Sequence, residues 1–348
     1  MRGFLLHTAA DTTNLGVVGP LFPGGYFEYI PIDNAYGIKT GSYNDFPARN
    51  TQYGKTLADF IPSYVSNRSV HFDPDFENYT YGQPVDDYPR SWVLEKLEEG
   101  DIIFYVSSLA PYDSQIYKYK DTALHSYQRG KKNKHVIGFF TVKGVARVVV
   151  LKSTPKLALT LLNVKSSEYG EAPLNMKDHE EELRELESNG YISKDIECWK
   201  LTREGSISSK SGLDVVNVID ELLPKTEDVQ MKFLEEGLIN ITMLSGNVDE
   251  EIVKTSHHYR RLRNIDWDQF VLVVGYQNRS SILTRSIQLT KGFETYSFTL
   301  NELGQSILKR NSDTLRGFRW IDEEAVRVLA REIYKLNEEL GDKLQHLL

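Results

Sequence analysis

Apolar positions along this chain recur with two different periods. After Asp322, the residues Val326, Leu329, Ile333, Leu336 and Leu340 follow at spacings of three or four. Such spacing puts them on one stripe of a helix. Asp322 supplies an N-cap, and Glu323 and Glu324 place negative charge where the helix dipole favours it. The stripe predicts a helix docked on its own core, or paired with the same helix of a second copy in a homodimer.

Elsewhere the apolar runs are short and continuous. Residues 102–106, Ile-Ile-Phe-Tyr-Val, read as a strand buried on both faces. Ser91 starts a short helix before it, which Gly100 ends. Residues 135–142 and 145–151 read as two more strands, with a tight turn or bulge at Lys143-Gly144. A turn-containing segment with four tyrosines precedes them. Residues 270–274 form a further strand that stops at Gly275. Helices are expected over 174–189, 215–223 and 229–234. In the first hundred residues, Gly19-Pro20, Pro23-Gly24-Gly25 and Pro31 interrupt every apolar run.

The pattern predicts an α+β fold with a mixed or mainly antiparallel, barrel-like sheet, peripheral helices and a C-terminal helix. Residues 1–300 are expected to form the main domain, with a helical insertion near 174–235. Residues 301–348 follow as a helical extension.

Composition narrows the function classes. The 348 residues carry 41 Lys and Arg against 49 Asp and Glu, a net charge of −8, which excludes a globally basic nucleic-acid coat but not a local basic groove. The single Cys198 excludes an intrachain disulfide framework, cysteine-rich zinc sites and a cluster ligated by several cysteines of one chain. No run reaches the ~18–20 apolar residues of a membrane helix, and no secretory leader is evident. The expectation is a cytoplasmic protein without a membrane partner. Walker, dinucleotide, kinase and nucleophile-elbow motifs are absent from their usual settings.

Three segments carry candidate chemistry. In His71-Phe72-Asp73-Pro74-Asp75, Pro74 restricts Asp73 to extended geometry, and extended spacing puts His71, Asp73 and Asp75 on one side. These groups could move protons or hold a divalent metal; a surface turn with Asp73 capping backbone amides explains the same residues. Residues 256–263 gather two histidines, Tyr259 and three arginines, Arg260, Arg261 and Arg263. The arginines could clamp phosphate and Tyr259 could stack on a base. Adjacent His257 and His258 point in different directions, so at least one is not a ligand of a shared metal. After the strand at 270–274 come Arg279, Ser280 and Arg285, which suit an anion-binding loop. Tyr105 is a second stacking candidate. Nine of the 20 tyrosines lie in the first hundred residues, either as a recognition surface or as plugs of an irregular core.

The runs GVVGPLFPGGYFEYIPI, HFDPDFENYTYGQ, LEKLEEGDIIFYVSSL, HVIGFFTVKGVARV and VLVVGYQNRSSILTRSIQLT, spread over about residues 15–290, resemble in order and spacing the family called nucleotide modification associated domain 3. The resemblance implies an association with modified DNA bases or nucleotides, a biological setting more than a reaction. It aligns His71, Asp73, Pro74 and Asp75 with a polar HxDPD-like motif, and Arg279, Ser280 and Arg285 with an arginine-containing block. The run FYVSSLAPYD replaces an aromatic, glycine-containing stretch of the family, which implies a different substrate or binding without turnover. The strands around 102–106 and 135–148 also loosely resemble those of PUA-like base readers. A modifying enzyme, a non-catalytic reader of a modified base and a structural assembly protein therefore remain the three readings.

Overall fold

A computed structural model describes residues 2–8, 16–33, 41–85, 90–151, 171–173, 184, 192–194, 198–201, 238–260, 267–294, 297–313 and 318–348. The core is a nine-stranded mixed sheet. Its strands are β1 (Gly3–His7), β2 (Gly19–Leu21), β3 (Thr80–Pro84), β4 (Ile102–Pro111), β5 (Asn133–Leu151), β6 (Leu238–Gly246), β7 (Trp267–Gly275), β8 (Ser281–Gln288) and β9 (Phe318–Ile321). The main path runs β9-β1-β4-β5-β7-β3, with β6 and β8 also on β5 and β2 on β4. β4 is parallel to β1 and β2, and the other pairings are antiparallel. Among the described residues the sheet does not close into a barrel, which corrects the barrel-like expectation.

The strand at residues 102–106 continues to Pro111, and all of it except Pro111 is buried. The two strands expected at 135–142 and 145–151 are one 19-residue strand, β5. No turn interrupts it because its two halves serve different neighbours. Residues up to Thr141 lie between β4 and β8, and those from Val142 onward between β7 and β6. Gly144 is needed for a close approach: a Cβ there would fall 2.5 Å from the carbonyl oxygen of Asn247.

The turn-containing segment folds as two short helices, α1 (Ser114–Lys118) and α2 (Leu124–Lys131). The Asp113 carboxylate accepts the N–H groups of Gln115 and Ile116, an N-cap that the sequence pattern did not reveal. Within the stretch read as a helical insertion, Arg184 is helical, while residues 198–201 pair on one side with residues 171–173 and on the other with residues 192–194 in a small antiparallel sheet. The rest of the helices expected at 174–189, 215–223 and 229–234 lies outside the described residues.

The C-terminal helix is α3 (Glu323–Leu336), with Asp322 accepting the Ala325 N–H as expected. Val326, Leu329 and Ile333 are fully buried in the main core with Phe4 and Ile103, whereas Leu336 is exposed. The apolar stripe is thus covered by its own chain. Buried Asn337 ties the helix end to β8, accepting the N–H groups of Thr284 and Arg285 and donating to Arg285 O.

Leu329→Ala and Ile333→Ala should each cost about 2–5 kcal/mol, read as a lower urea midpoint at unchanged m-value. A second expectation concerns His135, whose burial pushes its imidazole down to about 3. The folded chain holds it neutral, against the Ser286 hydroxyl 3.0 Å away. The unfolded chain takes up the proton below the ordinary value of about 6.5, so this stability is present above that pH and lost as pH falls toward 3. Urea midpoints at pH 7 and pH 5 should therefore separate further in the wild type than in His135→Gln, by up to about 1.4 kcal/mol per pH unit.

Candidate metal centre

Val70–His71 is a two-residue strand paired with Ile32–Asp33, and the chain then turns through residues 72–79 into β3. The sheet register of β3 on β7 holds the next part of the site. The Gly82 N–H donates to Asp73 Oδ1 at 3.2 Å, and the Gln83 amide lies 3.5 Å from Oδ2. Gln83 also donates to the Tyr81 hydroxyl at 2.7 Å, and the Thr8 hydroxyl donates to the Asp73 carbonyl. Asp73 is therefore fixed through both its side chain and its backbone.

His71 Nε2 lies 3.9 Å from Asp73 Oδ2. The third group comes from a short helix, His257–Arg260. The His258 ring sits 5.1 Å from that of His71 and 5.4 Å from Phe270. It reaches this place because Gly82 has no side chain: a Cβ there would meet the His258 ring at 2.9 Å. One donor atom from each of His71, Asp73 and His258 lies within 4.8 Å of the other two, and all three residues are buried. Two imidazoles and a carboxylate form a set that binds first-row divalent metals and leaves coordination positions open.

Asp75 plays another part. Its Oδ1 accepts the N–H groups of Glu77 and Asn78, and its Oδ2 accepts the Asn78 side-chain amide at 2.7 Å. It closes the turn, with His257 Nε2 3.8 Å away. The two adjacent histidines thus separate, one toward His71 and Asp73, the other toward Asp75.

Tyr105 is fully buried, enclosed by Phe76, Tyr81 and Phe140. Its hydroxyl has no hydrogen-bond partner among the described residues. Burial first, then the nearby Tyr81 and Asp73, push its ionisation well above the ordinary tyrosine range. Tyr29 is shifted the same way by burial and by Asp73, and donates to the Pro74 carbonyl at 3.1 Å. Both phenols stay protonated next to the carboxylate, as donors.

Tyr259, Arg279, Ser280 and Arg285 make other contacts. Tyr259 packs half-buried against the cluster of Ala146, Val148, Val253 and Phe270. Arg260 ends its helix, while Arg261 and Arg263 fall outside the described residues. Arg279 is exposed beside the Tyr276 ring, 5.5 Å from its centroid. The buried Ser280 hydroxyl accepts the Thr141 N–H at 3.1 Å. Arg285 donates to the Tyr26 hydroxyl at 3.2 Å. Neither Arg279 nor Arg285 makes a hydrogen bond or ion pair with His71, Asp73 or His258.

Fold and site together define an α+β protein with a buried His-Asp-His cluster at the edge of a large mixed sheet. The family model for nucleotide modification associated domain 3 matches residues 2–223, and the chain belongs to that family. No curated protein and no solved structure matches it. His71, Asp73, Gln83 and Tyr105 lie inside the matched span and His258 beyond it. Sequence reasoning did not find Gln83, Tyr81 or Thr8. Nothing in their surroundings marks them, because the sheet register brings them to Asp73. For His258 a signal exists in the spacing of His71-Phe72-Asp73 followed by a distant histidine pair.

Gly82→Ala tests the close approach. It should displace the His258 ring and cost about 1–3 kcal/mol, seen as a lower urea midpoint and shifted histidine ring resonances.

Proposed function

We propose that this protein modifies a nucleotide or a DNA base at a divalent metal held by His71, Asp73 and His258. The observation that carries the reading is the buried convergence of two imidazoles and one carboxylate. Membership of the family supports the nucleotide half. Two histidines and one carboxylate on one side of an ion are the donor set of non-haem Fe(II) centres, so Fe(II) is the metal favoured, with Mn(II) and Zn(II) as competitors.

The remaining residues have supporting roles in this reading. Gln83 and the Gly82 N–H hold the Asp73 carboxylate in place, as outer partners of metal ligands do. The buried Tyr105 hydroxyl, kept protonated beside Asp73, is a donor for a bound ligand. A base paired within a duplex would have to leave the stack to reach a buried ion.

Metal titration by calorimetry, followed by metal analysis of the dialysed protein, tests the reading. The wild type should bind one divalent ion per chain, and His71→Ala, Asp73→Ala and His258→Ala should each lose it. Gln83→Leu should weaken binding by about 10–100-fold. Asp75→Ala should keep the metal while losing stability. Mass spectrometry of nucleosides after incubation with DNA and the metal-loaded protein then reads the reaction. A wild type that takes up no divalent ion overturns the proposal.

A further inference from the structure

The chain is acidic overall, yet residues 118–134 carry six Lys and Arg against one acid, Asp121. Lys118, Arg129 and Lys131 of this stretch are exposed. A cleft of about 620 Å³ is lined by Gln52, Tyr53, Tyr112, Asp113, Ser114 and Tyr127, and Lys118 and Lys131 each follow a lining residue, Ser114 and Tyr127, by four positions on the same helix. None of these residues belongs to the His-Asp-His centre.

Three tyrosines in one cleft need not mean a binding surface, since rings often plug irregular cores. Here they are only partly covered, and two of them are held from behind. Tyr53 lies flat on Phe22, with ring centroids 4.1 Å apart and planes 4° apart. Tyr112 leans on Tyr53 at 5.2 Å and on buried Tyr117 at 4.7 Å. Lys131 Nζ stands 4.8 Å from the Tyr127 ring centroid. Rings fixed in this way lose little freedom when a flat ligand stacks on them. The Asp113 carboxylate is turned to the N-terminal amides of α1, which offsets its repulsion of an anion.

We propose that this cleft holds a segment of single-stranded nucleic acid, its bases stacked on Tyr53, Tyr112 and Tyr127 and its phosphates met by Lys118 and Lys131. Cations without rings would suit the backbone of a duplex, and rings without cations an apolar peptide. The combination matches an unstacked strand, which offers base faces and phosphates together. Duplex DNA hides its base faces. The inference rests on the nucleic-acid half of the function proposed above and does not require the metal. It adds what that chemistry needs, a place that keeps a strand open while one base is presented.

The test is fluorescence anisotropy of a labelled oligothymidylate of about 12 nucleotides, a length within single-strand site sizes, with EDTA present throughout. The strand should bind at least about tenfold tighter than thymidine monophosphate or a duplex of equal length, because several bases stack at once. Affinity should fall steeply with added salt. Tyr127→Ala should weaken binding by about five- to hundredfold. Lys131→Ser, a surface change away from the core, should flatten the salt dependence by about 0.7 in log–log slope. His258→Ala should bind the strand as the wild type does, so metal loss and strand loss are read separately. Equal affinity for strand and monophosphate, tighter binding of duplex, or wild-type binding by both Tyr127→Ala and Lys131→Ser overturns the assignment. Loss of strand binding in His258→Ala under EDTA also overturns it, by moving the strand to the histidine centre.

Discussion

The architecture depends on the unbroken pairing of one strand, Asn133–Leu151. It bonds to four neighbours, β4 and β8 along its first half and β7 and β6 along its second. The route from this strand to the candidate site is short. β7 lies on β5, β3 lies on β7, and the Gly82 N–H of β3 holds the Asp73 carboxylate. A shift of register by one residue would turn every side chain of β3 to the other face and remove Gly82 from beneath His258. The site is therefore set by hydrogen bonds of the sheet backbone more than by the loop that carries its ligands.

The parts legible in the sequence are those governed by local pattern. Asp322, Val326, Leu329 and Ile333 announce a capped amphipathic helix by spacing alone, and the helix docks as expected. The strand at residues 102–106 is visible because β-branched and aromatic residues run without a break. The segment His71-Phe72-Asp73 is visible because titratable groups flank a proline. What was not legible depends on tertiary geometry. Lys143-Gly144 looks like a turn, but the glycine answers the backbone at Asn247, about a hundred residues away in sequence. Asp75 and Asp73 look equivalent on either side of Pro74. Only the described contacts show that Asp75 is occupied by Glu77 and Asn78, whereas Asp73 faces His71. His258 could be named as a histidine of a basic segment, not as the partner of His71.

Charge is distributed unevenly along this acidic chain. A net charge of −8 opposes non-specific adhesion to a polyanion over most of the surface. The basic stretch at residues 118–134 is then a local exception beside an aromatic cleft, the pairing on which the proposed strand site rests. Around the His-Asp-His centre, in contrast, aromatic rings flank the histidine pair. Phe72 lies 5.3 Å from His257, and Phe270 lies against His258. A low-dielectric wall strengthens the attraction of an ion for its ligands and keeps bulk water from competing.

The two regions share one hydrophobic cluster. Tyr53 and Tyr112 pack on it from the cleft side, and Phe72 packs on it from between His71 and Asp73. Phe22, which lies flat against Tyr53, and Val70, which precedes His71, are both buried in that cluster. Because protein interiors are close-packed, the cleft and the ligand-bearing segment cannot shift independently without opening a void between them. That shared core gives a physical reason for the tyrosine-rich N-terminal third. Its rings shape a surface on one side and fix the backbone of His71 and Asp73 on the other. Of the two roles that their sequence offered, the packing contacts show the core plug, while their part-exposed edges are the surface on which the strand proposal rests.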